Sequence, residues 1–307
     1  MQQSVLITGV SGFLGGYIAD EFLSQGYLVT GVDRLGKRVV TNSRLTRHET
    51  MVIPSAEFNS LLNESPPDVL INAAGCASVG LSIANPALDY YANTVMVFEL
   101  LEAIRLQAPS CRFITLSSAA VYGNAGVLPI NESQICEPMS PYGFHKLQSE
   151  ILCNEYTKIY GIRTAIARIF SAYGPGLRRQ VIWDIYKKSI SDEPFQLMGT
   201  GNESRDFIHS KDVAIAIRIL AERAEFRGEA YNLASGKEVS IRQIANLLLT
   251  CLGQGPNARF NGNQDQGNPS NWRADISRLQ SLGFVSAIPL EEGVQGFLTW
   301  CRNVPLP

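Results

Sequence analysis

The segment SPYGFHKLQSE, residues 140–150, places Tyr142 four residues before Lys146. On a helix the two are one turn apart and share a face. A free phenol is a weak acid, with a pKa of roughly 10. An ammonium held beside it favours the phenolate and brings the tyrosine nearer to working pH. Hydride transfer at an alcohol or ketone needs such a group, because hydride leaves carbon only as the hydroxyl proton leaves oxygen. The spacing fits equally two residues that merely share a helix face, so the elements around them must decide.

A second hydroxyl stands at the end of RFITLSS, residues 112–118, an apolar run that reads as a buried strand. Ser118 falls just beyond its carboxyl end, where open α/β sheets bind ligands. There it can hydrogen-bond the oxygen that Tyr142 serves and hold it in line.

The third group is made of glycines. SVLIT (4–8) reads as a strand, and GFLGGYIADEFLSQG (12–26) as a helix closed by Gly26. Gly9, Gly12 and Gly15 form G-x-x-G-x-x-G at the junction. The first allows a tight turn, the next lets backbone approach a pyrophosphate, and the last lets helix and strand pack closely. The N–H groups and dipole at the start of the helix favour phosphate. Strand before and helix after is the context that identifies a dinucleotide site. A second strand, LVTGVD (28–33), ends at Asp33, whose carboxylate can accept both adenosine ribose hydroxyls and repels a 2′-phosphate. That favours NAD. Arg34, able to stack on adenine or hold a 2′-phosphate, leaves NADP open.

These residues need a scaffold, and the apolar runs supply one. DVLINAA (68–74) and RTAIARIF (163–170) read as further strands, PALDYYANTVMVFELLEAIRLQ (86–107) as a helix, and the helix of Tyr142 and Lys146 continues to about Tyr160. Near-continuous apolar strands separated by helices imply a parallel sheet covered on both faces, with right-handed crossovers. The expected fold class is α/β, a Rossmann-type doubly wound sheet. After Ser171 the pattern shortens through the break AYGPG (172–176), which predicts a smaller, mixed α/β C-terminal substrate-binding part. The expected division is 1–171 for the dinucleotide, with 206–235 returning to it, and 172–205 with 236–307 for the substrate. The polar loop ARFNGNQDQGNPSNW (258–272) has the composition of a binding-site border.

Composition narrows the function. The 307 residues are 45% hydrophobic and 18% charged, with net charge −2, so there is no electrostatic case for nucleic acid or an anionic membrane. Cys76, Cys111, Cys136, Cys153, Cys251 and Cys301 form no C-x-x-C pair and have no His cluster beside them. Scattered reduced thiols and no metal site are the expectation. With no signal-peptide pattern and no apolar run long enough to span a bilayer, the expected location is the cytoplasm.

Together the motifs resemble the extended short-chain dehydrogenases/reductases of the nucleotide-sugar epimerase/dehydratase family. The resemblance rests on TGVSGFLG, Asp33, NAAG (72–75), Asn93 before LLEA, SSAAVYG, PYGFHK, ARIFSAYGPG, SRDFIHSKDVA (204–214) and YNLASG (231–236), in the family's order along nearly the whole chain. It implies Ser118, Tyr142 and Lys146 as the catalytic trio. Lys146 would also bind the nicotinamide ribose, and Asn93 would position cofactor and lysine. Phe13, Leu14, Ala73 and Ala74 would border the cofactor. Arg205 would approach the diphosphate of a nucleotide sugar, a surface salt bridge being its alternative, and His209 would be structural. Helices 86–107 and 142–160 would pair in a homodimer, unless the same stripe faces only the subunit's own sheet.

Departures from the family pattern bear on the reaction. Members that remove water across C4–C6 carry an acidic pair after the catalytic hydroxyl residue, and here Ala119 and Ala120 can neither donate nor accept. This argues against a 4,6-dehydratase. Ser171 stands where Asn is common, so a sugar-phosphate contact is shortened or lost. Asp265 takes the place of a frequent Arg, with Arg273 able to supply the charge. Arg178 and Arg179 can serve an anionic group or form a solvated pair. His145 replaces the usual serine before Lys146, with no effect that can be read from sequence. The expected activity is NAD-dependent epimerisation of a nucleotide-linked hexose at C4 through a transient 4-keto sugar. A nucleotide 4-ketosugar reductase or dehydrogenase uses the same trio, and a non-catalytic dinucleotide sensor would have little reason to keep it.

Overall fold

The computed structural model describes residues 2–34, 44–191, 195–263 and 269–304. Largely apolar, buried runs form the central strands. β1 (Ser4–Thr8) leads to helix α1 (Phe13–Ser24), then to β2 (Leu28–Asp33) and β3 (Arg47–Thr50). Helix α2 (Ala56–Glu64) returns to β4 (Val69–Asn72), every residue of which is buried. Next come α3 (Val79–Ala84), α4 (Pro86–Tyr90), a π-helical turn (Tyr91–Val95) and α5 (Met96–Gln107). β5 (Arg112–Ser118), α6 (Pro141–Tyr160) and β6 (Thr164–Ile169) complete the half that carries the trio. β7 (Ser171–Tyr173), α7 (Gln180–Ser189), β8 (Ser204–His209), α8 (Ser210–Arg223) and β9 (Arg227–Leu233) follow. The chain then runs through β10 (Glu238–Ser240), α9 (Ile241–Cys251), α10 (Ser277–Ser281) and α11 (Leu290–Asn303).

The seven-stranded sheet has the order β3-β2-β1-β4-β5-β6-β9, with every neighbouring pair parallel. This is the doubly wound Rossmann-type arrangement. Chain order reverses between β1 and β4, and the crevice beyond their carboxyl ends is the place such a sheet offers a ligand. One face packs on α1 and α8 through Ile18, Phe22, Ile217 and Leu220. The other packs on α2, α5 and α6 through Phe58, Leu100, Leu101 and Cys153. A smaller mixed sheet, β10-β8-β7, lies under α7, α9 and α11 around Trp183, Ile244, Leu248 and Phe297. Within residues 206–235, α8 and β9 join the large layered unit, whereas the strand that opens them, β8, belongs to the small sheet.

Two local features aim the catalytic helix. Ser140 caps α6 by accepting the Gly143 N–H at 3.2 Å, Pro141 occupies its first turn, and Gly161 ends it at φ +71°. The helix expected over 86–107 forms, but with the π-helical turn Tyr91–Val95 inside it. Such turns often mark functional positions, and this one holds the buried Asn93.

Candidate active site

A cavity of about 1790 Å³ opens at the carboxyl end of the large sheet and extends to the small one. At one end is the glycine turn. Gly9 has φ +70°, and a Cβ there would stand 2.8 Å from the Ala74 Cα. A Cβ on Gly15 would lie 2.1 Å from the Gly9 carbonyl oxygen, so the turn and the helix approach this closely only because Gly15 lacks a side chain. No side chain caps the N-terminus of α1, and Gly12, Phe13 and Leu14 line the cavity there. Ala73 and Ala74 line it from the end of β4.

Asp33 is buried at the rim. Its two oxygens accept the Ser11 N–H at 3.2 and 3.1 Å, Oδ2 also accepts the Ser11 hydroxyl, and His48 Nε2 lies 3.1 Å from Oδ2. Ser11 and His48 were not read from sequence. Ser11 sits inside the glycine motif and carries a signal in retrospect, whereas His48 arrives from a neighbouring strand. Arg34 lines the same end. A turn without side chains, an open helix terminus and a buried carboxylate held in place fit a dinucleotide with a free 2′-hydroxyl.

The trio lies further along. Ser118, Tyr142 and Lys146 all line the cavity. The Ser118 hydroxyl lies beside the phenol and accepts the Ala120 N–H at 3.2 Å. The Tyr142 backbone N–H donates to Ser82 Oγ at 3.1 Å. Lys146 Nζ donates to the Leu116 carbonyl at 2.8 Å and lies 5.9 Å from the centroid of the Tyr142 ring. Burial pushes the phenol up, and the neighbouring Ser118 hydroxyl and the Arg179 charge only partly oppose it. The lowering expected at this tyrosine depends on Lys146 together with a positive nicotinamide ring, and the protein alone shows the burial that the two must offset. The ammonium is turned to a carbonyl, and its own burial draws it down to about 8 against the pull of Asp89 and Glu150. Dry surroundings therefore outweigh the neighbouring cation.

Asn93 does not line the cavity. From the π-helical turn its Nδ2 donates to the Cys76 carbonyl at 3.0 Å, and its own carbonyl accepts the Ser149 hydroxyl at 3.1 Å. It thus ties the loop after β4 to α6, the helix of the lysine. His209 is buried at the start of α8, where its Nδ1 accepts the Lys211 N–H at 3.2 Å. That bond requires a free lone pair on Nδ1, and burial draws the imidazole down to about 4. The geometry is that of a helix cap.

At the far end Ser171, Arg178, Arg179 and Arg205 line the cavity. Arg178 spreads over Trp300 and Trp183, 5.5 and 6.0 Å from their centroids. Arg205 lies 5.3 Å over Trp272 and donates to the carbonyls of Ser204 and Ser270 at 2.7 and 3.3 Å. It is therefore not the exposed half of a surface salt bridge. Arg273 departs from expectation, since it is not among the residues that line the cavity. The segment pairs with Ile130, alternate side chains point to opposite sides, and Trp272 takes the inward place. Asp265 lies outside the described residues. Ala119 is buried, and Ala120 lines the cavity as an apolar wall.

A parallel sheet with a phosphate-ready turn at its switch point, and a Ser-Tyr-Lys trio in the same crevice, defines a dinucleotide-dependent enzyme class. The family model of the NAD dependent epimerase/dehydratase family matches residues 5–234. The chain belongs to that family. It is 28% identical to a putative UDP-glucose 4-epimerase of Methanocaldococcus jannaschii, over 97% of this chain and 98% of that one. Among solved structures it is similar to MoeE5 in complex with UDP-glucose and NAD, at 28% identity and a TM-score of 0.87 over 98% and 99% of the two chains. It is also similar to the UDP-glucuronic acid 4-epimerase of Bacillus cereus in complex with UDP-glucuronic acid and NAD, at 25% identity and a TM-score of 0.87 over 98% and 99%.

Proposed function

We propose that the chain is an NAD-dependent epimerase that inverts C4 of a UDP-linked hexose. The observation that carries this reading is the single cavity. It joins the glycine turn and Asp33 at one end, Ser118, Tyr142 and Lys146 in the middle, and Arg178 and Arg205 at the other. Gly9, Gly12, Phe13, Leu14, Gly15, Ala73 and Ala74 would hold NAD on the backbone side, with Asp33 on the adenosine ribose and Lys146 on the nicotinamide ribose. Bound there, NAD takes up and gives back the C4 hydride. Tyr142 accepts the proton of the C4 hydroxyl as the C–H bond breaks, leaving a 4-keto sugar, while Ser118 holds the oxygen. Lys146, together with the positive charge that oxidised NAD would bring when held there, would offset the burial that holds the phenol protonated. The ketone turns over, its other face takes the hydride, and Tyr142 returns the proton to oxygen. Arg205 and Arg178 pair with the diphosphate.

Asp33, dry and already held by Ser11 and His48, supports NAD over NADP. Ala119 and Ala120 leave no acid–base pair for a 4,6-dehydration. The six cysteines are free thiols, which supports a reducing, cytoplasmic setting. Among the described residues no helix is long and apolar enough to cross a membrane. Exposed apolar side chains recur at helical spacing along two helices, Leu88, Tyr91, Phe98 and Leu106 on one and Phe144, Ile151 and Ile159 on the other, which supports a homodimer through them. The test is to incubate purified protein with UDP- and dTDP-hexoses and no added cofactor. Interconversion of C4 epimers is expected with the UDP sugars. Turnover that requires stoichiometric NADH or NADPH would make the protein a reductase instead.

A further inference from the structure

Asp89 and His145 are 56 positions apart and meet beside the Tyr142–Lys146 pair. Asp89 is 1% exposed, in the first turn of α4. His145 precedes Lys146 on α6, and its Nδ1 is 2.6 Å from Asp89 Oδ2. A carboxylate can only accept, so Nδ1 carries the proton between them. Among the described residues the buried Asp89 Oδ1 has no partner of regular hydrogen-bond geometry, and the carboxylate also faces the Cys76 thiol. The imidazole is held in place. Tyr90 packs edge-on against it at 5.3 Å, and the Thr94 and Ser149 hydroxyls donate to the His145 carbonyl at 3.0 and 2.8 Å.

A buried carboxylate with one oxygen unsatisfied is costly, and an apolar side chain could fill the same volume without that cost. Charges kept at such cost beside a proton-transfer group are commonly there to tune it. The groups that face the phenol are few: Ser118 from β5, Cys76 from the loop after β4, Asp89 from α4, Arg179 from the segment before α7, and Lys146 from its own helix. Glu150 also acts on Lys146, but it is paired with Arg168 at 2.7 Å. Asp89 thus acts on both Tyr142 and Lys146, and His145, three residues after Tyr142 on α6, is its hydrogen-bond partner.

We propose that His145 is a positioning residue for epimerisation, holding the buried Asp89 carboxylate and screening its charge from the Tyr142 hydroxyl. The proposal rests on Tyr142 as the acid/base. Without the imidazole, the bare carboxylate makes the phenol harder to ionise. Replacing the carboxylate by an amide removes the reason for a partner.

The experiment measures kcat/KM against pH for the native protein, His145→Ala and the double variant Asp89→Asn/His145→Ala. In His145→Ala the acid limb is expected to move up by about one pH unit, about tenfold in rate on the acid side. In the double variant it is expected to return. An unmoved limb in His145→Ala, or a shift that persists in the double variant, overturns the proposal, because a merely structural role would not be reversed by removing a charge. If His145→Ala fails to fold, His145→Gln keeps an N–H for the carboxylate. A limb that stays at the native position or moves less than in a donor-free His145→Leu supports the proposal, and a full-unit shift in His145→Gln or an unmoved limb in His145→Leu overturns it. Tyrosinate absorbance of Tyr142, taken as the difference from Tyr142→Phe with NAD present, reads the same shift without substrate. Failure of the pair is thereby separated from failure of the epimerase reading, which full turnover by Tyr142→Phe would reveal.

Discussion

A phenol that must give up a proton is helped by a cation and hindered by dryness, and Tyr142 experiences both. Burial wins in the protein alone, which leaves the cofactor's positive ring as the missing contribution. Tyr142→Phe is expected to lower kcat by about 10²–10⁴, the usual worth of a positioned acid/base, while NAD binding measured by fluorescence is retained. Equal loss of binding and rate would instead mean a collapsed site. Gly15 makes a sharper steric prediction. Gly15→Ala places a methyl 2.1 Å from the Gly9 carbonyl oxygen, a backbone atom that cannot step aside. The variant is expected to lose NAD retention, checked by cofactor released on denaturing the purified protein. These two residues were legible from type and spacing. Arg273 was not, because alternation along an extended segment decides which neighbour faces inward, and Trp272 faces the cavity instead.

Between elements the polar ties are buried and span long separations. Glu150 of α6 pairs with Arg168 of β6 at 2.7 Å, Ser117 of β5 donates to the same carboxylate, and Arg168 also donates to Tyr122, which donates to Asn232 of β9. Arg168→Met would leave Glu150 dry and unpaired. It is expected to cost about 3–5 kcal/mol in denaturant unfolding, with Arg168→Met/Glu150→Leu recovering much of the loss. His209 predicts an acid effect. The fold draws it down to about 4, whereas the unfolded chain takes up its proton near the ordinary histidine value of about 6.5. Its contribution is therefore present above about 6.5 and lost as pH falls toward 4, up to about 3 kcal/mol. His209→Gln should flatten the stability profile in that window, less the cost of the lost cap. Asp206, pushed up to about 6 by burial, acts in the opposite sense and remains in both proteins.

For the whole molecule, the exposed apolar stripes on the helices of residues 86–107 and 141–160 are the feature a monomer explains least. Phe98→Glu with Ile151→Glu is expected to convert a dimer to a monomer in sedimentation. A mass that the substitutions leave unchanged would rule these helices out as a dimer interface. By itself the sequence determined most strands and helices of the first half, the glycine turn, the acid that ends the second strand and the spacing of the Tyr-Lys pair. Those follow from periodicity, backbone freedom and spacing within one turn of chain, all local. Only the tertiary structure decided that His48 and Ser11 hold Asp33, that Asp89 meets His145 and that Glu150 meets Arg168. Each of those depends on which distant segments the packed core brings within hydrogen-bonding reach, and no local pattern encodes that distance.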